Sequence, residues 1–324
     1  MNCSSWMQKI PDDVNISSLS IPGTHNSAAC FKFAPLSVQC QGKSIKQQLL
    51  NGVRFLDMTL SKNFISRGAK VDDLIVVHGK FPVKLSGPYK FKSVLNDVYH
   101  FLDKFPTETV LMSIRFENTM LHWDPKIDEF AKVLFERYIA HNRRRWYLSS
   151  KIPSLKYSRG KIVLLRRFPV IENGVYQTFG ISCTSECENS TSCIQECSSI
   201  KSQDDIQEKV SLIKGMISKA SDYHSPSRRG SENSTFSNIN SNSSHSLFDD
   251  LSNEKLPSPP PKLFINYCTG ANYLKKNYWP SKVDKRIREF NIEADFQKNC
   301  GIVIFDFADR DDWKLVRKLI LSNF

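Results

Sequence analysis

A chain of 324 residues is long enough for one large domain or two small ones, and its 40% hydrophobic content supplies a real core, which excludes a wholly disordered protein. The formal net charge of +12 suits an anionic partner, whether nucleic acid, an acidic membrane surface or a phosphorylated substrate. The charges are scattered, however, and no stretch approaches the roughly 18 apolar residues needed to cross a bilayer as a helix.

In chain order, MNCSSWMQKIPDD lacks the basic start and apolar run of a secretory signal, so a cytoplasmic location is expected. With no such signal, the nine cysteines read as reduced thiols, and the Asn-x-Ser/Thr triplets at Asn15, Asn189, Asn233 and Asn242 as chance matches. Strand-like runs follow at Ser17–Ile21, Val53–Leu60 and Leu74–Val77. Phe91–Lys104 has a helical period, with Val94, Leu95, Val98, Phe101 and Leu102 on one stripe. A strand over Thr109–Arg115, a helix over Ile127–Ala140 and a strand over Lys161–Leu165 come next, and Arg143-Arg144-Arg145 reads as a solvated helix end. Cys183, Cys187, Cys193 and Cys197 lack a structural zinc spacing, and no histidine joins them, so they read as a loop with thiols. A helix is expected over Asp204–Ala220. From Ser221 to Pro261 the chain is dominated by Ser, Asn and Pro, too apolar-poor to offset its ordering entropy, and reads as a disordered insertion within a single 1–324 domain. Strands over Leu263–Tyr267 and Gly301–Phe307 and a helix over Asp311–Ser322 complete the pattern.

Near-continuous apolar strands such as IVLL and GIVIF imply burial on both faces, as in a parallel sheet covered by helices. Alternation over this length points to a doubly wound sheet or a (β/α) barrel. His25, in SIPGTHNS after a strand and a Pro-Gly turn, and His78, after LIVV and before Gly79, both fall at the C-terminal ends of strands, where barrel active sites are built. A single such histidine is more often structural; two, each beside a glycine or turn, point to acid–base chemistry. Asp57 ends VRFLD and Asp306 ends GIVIFD, and carboxylates there need partners unless they cap helices or turns.

SIPGTHNS, NGVRFLDMTL and LIVVHGKF, in that order and spacing, resemble the X-type catalytic region of phosphatidylinositol-specific phospholipases C. The resemblance continues through FPTETVLMSIRFE, RGKIVLLRRF, FINYCTGA and GIVIFDFADRDDW, and is to the compact, single-domain bacterial-type members. It implies a distorted (β/α)8 TIM-type barrel and cleavage of phosphatidylinositol to diacylglycerol and cyclic inositol phosphate. His25 is then the general base and His78 the general acid, with Asp306 orienting His25 and Asp57 supporting His78. Arg115 and Arg167 stand where those enzymes carry basic residues at the pocket, and Glu196, in IQECSS, where an acid contacts the inositol ring.

Thr59, two residues after Asp57, stands where bacterial-type members carry an arginine and calcium-dependent ones an acidic ligand. Asn26 resembles the calcium-dependent pattern, but a cationic Arg115 makes a poor calcium site, so no cofactor and no metal is expected. Arg115, Arg54 or Lys62 are the candidates to replace the missing arginine. The alternative function is a catalytically impaired phosphoinositide-binding protein that retains the fold. Tyr273, Leu274, Lys275, Lys276, Tyr278 and Trp279 mix aromatics with lysines, as do rims that touch an anionic bilayer and also ordinary packed loops, and Phe31 and Phe33 form a second such pair. Phosphatidylinositol in a membrane surface is the expected partner, contacted peripherally. No nucleic-acid motif accompanies the charge, and no obligate protein partner is indicated.

Overall fold

The computed structural model describes residues 2–31, 39–62, 74–79, 81–84, 86–117, 128–184, 188–225 and 259–324. Its strands and helices, in chain order, are β1 (Ile21–Thr24), α1 (Ile45–Leu50), β2 (Phe55–Lys62), β3 (Leu74–His78), β4 (Phe81–Pro82), α2 (Phe91–Lys104), β5 (Val110–Phe116), α3 (Glu129–Leu134), β6 (Trp146–Tyr147), α4 (Leu155–Ser158), β7 (Ile162–Arg166), β8 (Ile181–Ser182), β9 (Ser192–Gln195), α5 (Gln203–His224), β10 (Leu263–Cys268), α6 (Pro280–Arg288), β11 (Ile302–Phe305) and α7 (Arg310–Leu321). The sheet runs β6-β7-β5-β2-β1-β11-β10-β9, with β8 also on β7, and every pair along it is parallel. The antiparallel β3 and β4 branch from β2. Among the described residues no ladder joins β9 to β6 or β8, so the barrel is curled but open at that seam. This is the distorted barrel expected from the sequence. No described helix is long and apolar enough to cross a membrane.

The core follows the periodicity. Strands β7, β10 and β11 are buried at every position, and α2 turns Val94, Leu95, Val98, Phe101 and Leu102 inward. Polar struts close the end of the barrel away from the strand C-termini. Arg54 is fully buried and donates through Nε and Nη2 to Glu108 Oε2 at 2.9 and 2.7 Å, with further bonds to the carbonyls of Leu49, Val53 and Ser4. Ser20 and Asn323 exchange hydrogen bonds, both 2.9 Å, tying the start of the barrel to the residues after α7.

Three expectations shift. The run Ser17–Ile21 is not a strand: Ile16–Ser18 is a 3-10 turn, because Asn15 Oδ1 accepts from Ser17 N, and the strand is Ile21–Thr24. Pro22-Gly23 therefore lies inside β1 rather than in a turn. Glycine is needed there by proximity, since a Cβ would sit 2.8 Å from Phe55 Cδ1. The helix expected over Ile127–Ala140 is α-helical only to Leu134, then winds as a π turn through Ile139 and 3-10 turns through Arg145. Helix α5, opened by a Ser202–Asp205 capping box, runs to His224, so Ser221–His224 are helix rather than the start of the Ser/Asn/Pro-rich segment. Residues 226–258 of that segment lie outside the described residues.

Candidate active site

His25 follows β1 directly, and its backbone N–H bonds the Phe305 carbonyl, the last residue of β11. That pairing brings the next residue, Asp306, beside the ring: His25 Nδ1 lies 2.9 Å from Asp306 Oδ1. On the other edge, Asn26 Nδ2 lies 2.9 Å from His25 Nε2. An amide donor at Nε2 and a carboxylate at Nδ1 fit a neutral ring with its proton on Nδ1 and its Nε2 lone pair accepting from Asn26 at the cavity wall, a bond that an incoming hydroxyl has to displace. Burial by itself would lower the His25 pKa, but Asp306, with help from Asp57 and against Arg115, outweighs burial and holds it above the ordinary histidine value.

His78 is the last residue of β3, and its ring centroid is 5.8 Å from that of His25, edge to face. Its Nδ1 lies 3.7 Å from Cys40 Sγ and its Nε2 2.6 Å from the Tyr273 hydroxyl. Both histidines line one cavity of roughly 390 Å³ with Asn26, Thr59, Arg115 and Asp306. Burial pushes the Cys40 thiol well up, and Asp306, which takes a hydrogen bond from it, adds to the effect, so Cys40 keeps its proton and its sulfur can accept from His78 Nδ1–H.

The support expected for His78 from Asp57 is not there. Asp57 is buried on β2, neither carboxylate oxygen has a hydrogen-bond partner among the described residues, and Arg115 Nη2 lies 4.0 Å from Oδ2. The register explains the pairing. Thr59 and Arg115 are partners across the β2–β5 ladder, as are Asp57 and Ser113, so the Arg115 side chain enters the space over β2 that Thr59 leaves open. Thr59 Oγ1 instead bonds Asn26 Oδ1 at 3.3 Å. Arg54 is excluded as a replacement cation by its burial against Glu108 at the other end of the barrel, and Lys62 does not line the cavity.

Glu196 bridges two arginines. Its Oε1 is 2.5 Å from Arg115 Nη2, and its Oε2 accepts from Arg167 Nη2. Burial would raise the Glu196 pKa, but Arg115 and then Arg167 hold it at about 2, so it is ionised at any working pH. Arg167 also donates to Tyr267 Oη at 2.8 Å; it stands behind Glu196 and does not itself line the cavity. Among the described residues lining the cavity, Arg115 is the one permanent cation.

Of the cysteines expected as thiols, Cys183 and Cys193 are buried, Cys197 is exposed, and Cys187 lies outside the described residues. Among the described residues one set of metal-type donors comes together, His25, Cys40 and Asp306, with ligand atoms within 4.8 Å of one another. That set contains the His25–Asp306 pair, so an ion bound there would take the place of the proton between them. Cys40, Glu117, Ser198 and Thr269 were not singled out by sequence reasoning, yet Cys40 touches His78 and the other three line the cavity. Cys40 carried no signal beyond its type.

Two histidines at strand ends of a distorted parallel barrel, one held by a carboxylate, with a guanidinium between the buried Asp57 and the half-buried Glu196, define a phosphodiesterase-type acid–base site. Residues 17–168 match the family model described as phosphatidylinositol-specific phospholipase C, X domain. The chain's relatives include the 1-phosphatidylinositol phosphodiesterase of Listeria monocytogenes, 32% identical over 166 residues, covering 49% of this chain and 47% of that protein. The Staphylococcus aureus protein of the same name is 28% identical over 231 residues, covering 67% of this chain and 70% of that one. The chain thus spans about half the length of the Listeria relative in the matched region. In three dimensions it resembles the Listeria phosphatidylinositol-specific phospholipase C with a TM-score of 0.69 at 22% identity, covering 100% of both chains. A double mutant of the Staphylococcus aureus phosphatidylinositol-specific phospholipase C aligns with a TM-score of 0.71 at 19% identity over 100% of this chain and 97% of that one.

Proposed function

We propose that the protein is a phosphatidylinositol-specific phospholipase C acting without a metal. The observation that carries this reading is the placement of two differently held histidines, His25 on Asp306 and His78 on Cys40 and Tyr273, on one cavity whose cation is Arg115. His25 Nε2 takes the proton of the inositol 2-hydroxyl as that oxygen bonds phosphorus. The bond from phosphorus to the diacylglycerol oxygen breaks, and His78 gives that oxygen its proton, leaving a cyclic inositol phosphate. Each such transfer contributes about 10²–10⁴ in rate. Asp306 keeps the His25 proton on Nδ1 and stabilises the imidazolium that forms.

Arg115 supplies the charge that Thr59 cannot. It faces the non-bridging oxygens from the neighbouring strand, a role that a fixed guanidinium fills without reorganisation. Glu196, set by Arg115 and Arg167, accepts hydroxyls of the ring. The substrate lies in a membrane, and the loop with Leu274, 93% exposed, and Lys275 and Lys276 suits an anionic bilayer surface contacted peripherally.

The test is incubation with phosphatidylinositol vesicles in EDTA and in calcium, following cyclic inositol phosphate by ³¹P NMR, with His25→Ala in parallel. Product in EDTA that vanishes in the variant is the expected result. Product only with calcium overturns the metal-free reading. Vesicle binding without product, from folded protein, selects a lipid-binding protein impaired by Thr59.

A further inference from the structure

Tyr273 touches the general acid and the solvent-facing rim at once. Its hydroxyl is 2.6 Å from His78 Nε2, and the two rings meet edge to face at 5.5 Å. The other ring nitrogen already faces Cys40. Nε2 is therefore the nitrogen left for the leaving group's oxygen, and the tyrosine occupies it. A proton donated from Tyr273 into Nε2 leaves His78 without the proton an acid must give.

The next residue is the most exposed large hydrophobic side chain of the described protein, Leu274 at 93%. Lys275 and Lys276 follow it, both exposed. These residues form one small body between β10 and α6. Asn272 N bonds Tyr278 O at 2.7 Å, Tyr278 N bonds Lys275 O at 2.8 Å, and Trp279 Nε1 bonds the Tyr273 carbonyl at 3.1 Å. A displacement of Leu274 therefore carries Tyr273 with it. An apolar tip flanked by lysines fits a phospholipid bilayer containing anionic lipid, the surface in which the substrate of the site resides.

We propose that Tyr273 is a latch on His78, closed in the free protein and withdrawn when Leu274 enters an anionic bilayer. The latch couples membrane contact to chemistry, so turnover begins where substrate is and is restrained elsewhere. It rests on the reading of His78 as the acid of a phospholipase C.

The experiment compares a short-chain phosphatidylinositol kept monomeric with vesicles of phosphatidylcholine and phosphatidylinositol. The wild type is expected to turn over vesicles faster than monomers. Tyr273→Phe removes the hydroxyl and is expected to raise monomer turnover about five- to tenfold, the value of one neutral hydrogen bond, so that the vesicle-to-monomer ratio collapses. Leu274→Asp is expected to keep the monomer rate and lose the vesicle enhancement. A monomer rate that falls or stays level in Tyr273→Phe overturns the latch. Ring-nitrogen NMR of ¹⁵N-histidine-labelled protein reads the contact without any turnover. Vesicles should move the His78 Nε2 signal toward its position in free Tyr273→Phe. No movement on lipid binding refutes the latch even in an active enzyme, whereas movement in a protein with no turnover retains the latch and defeats the enzyme reading.

Discussion

Replacing Arg115 by Met tests the electrostatics of the site most directly. The guanidinium is 2.5 Å from Glu196 and 4.0 Å from Asp57, and it is the cation of the cavity among the described residues. At 4 Å, two unit charges in a partly buried site interact by about 4 kcal/mol before desolvation is counted. Its loss removes the guanidinium from beside Asp57, a buried carboxylate without a hydrogen bond among the described residues. The penalty for such a group is about 1–3 kcal/mol of stability, so thermal melting has to accompany every rate. Loss of a preorganised stabiliser of developing charge costs about 10²–10³ in kcat, or about 2.7–4 kcal/mol. The register offers a rescue, because Thr59 is the ladder partner of Arg115. Strands so paired lie about 4.8 Å apart, within the reach of an arginine side chain. Thr59→Arg added to Arg115→Met should therefore recover kcat to within about tenfold of the wild type, a single bidentate contact being less than the full loss. The assay is ³¹P NMR of cyclic inositol phosphate on vesicles, with kcat and KM separated. A folded Arg115→Met protein retaining more than about a third of kcat, or a double variant no better than the single, would refute the assignment of the phosphate charge to Arg115.

Asp306→Asn should lower kcat/KM by about 10²–10⁴ and move its acid limb to lower pH. In the wild type the raised His25 pKa means that the neutral base is lost as pH falls through a value above 6.5; removing the carboxylate removes the cause of that elevation, and a pH–rate profile reads the shift. Glu108→Gln strands Arg54 in the barrel floor and should cost about 3–5 kcal/mol in urea unfolding, while activity per folded molecule persists. Burial lowers the Lys209 pKa to about 8, so the unfolded chain binds more protons between that pH and its ordinary value near 10.4. Stability contributed by Lys209 should thus rise from about pH 8 toward pH 10, and Lys209→Met should flatten that rise in melts taken across the interval. Gly301→Ala, at φ +73 with a Cβ 2.6 Å from Phe264 O, should destabilise β11 and lower the melting temperature.

The strands were legible where burial is two-sided, because IVLL and GIVIF have no polar face to confuse the period, and α2 was legible to the residue because its stripe is uninterrupted. The short β6 and β8 were not, since two residues carry no period, and β9 was hidden by its Ser and Gln positions. In the site, His25, His78 and Asp306 were readable as polar residues ending apolar runs. The partner of Asp57 was not, because the choice between His78 and Arg115 is made by register between β2 and β5, which no local pattern encodes. Tyr273 looked like rim composition; only the fold of the loop brings its hydroxyl to a histidine 195 residues away.

His25 and Asp306 stand 281 residues apart, just past β1 and just past β11. A growing polypeptide leaving the ribosome can assemble most of the sheet, and nearly all of the pocket wall, while the base still lacks the carboxylate that fixes its proton. The contact that fixes the proton of His25 is therefore completed only once β11 has been added to the sheet.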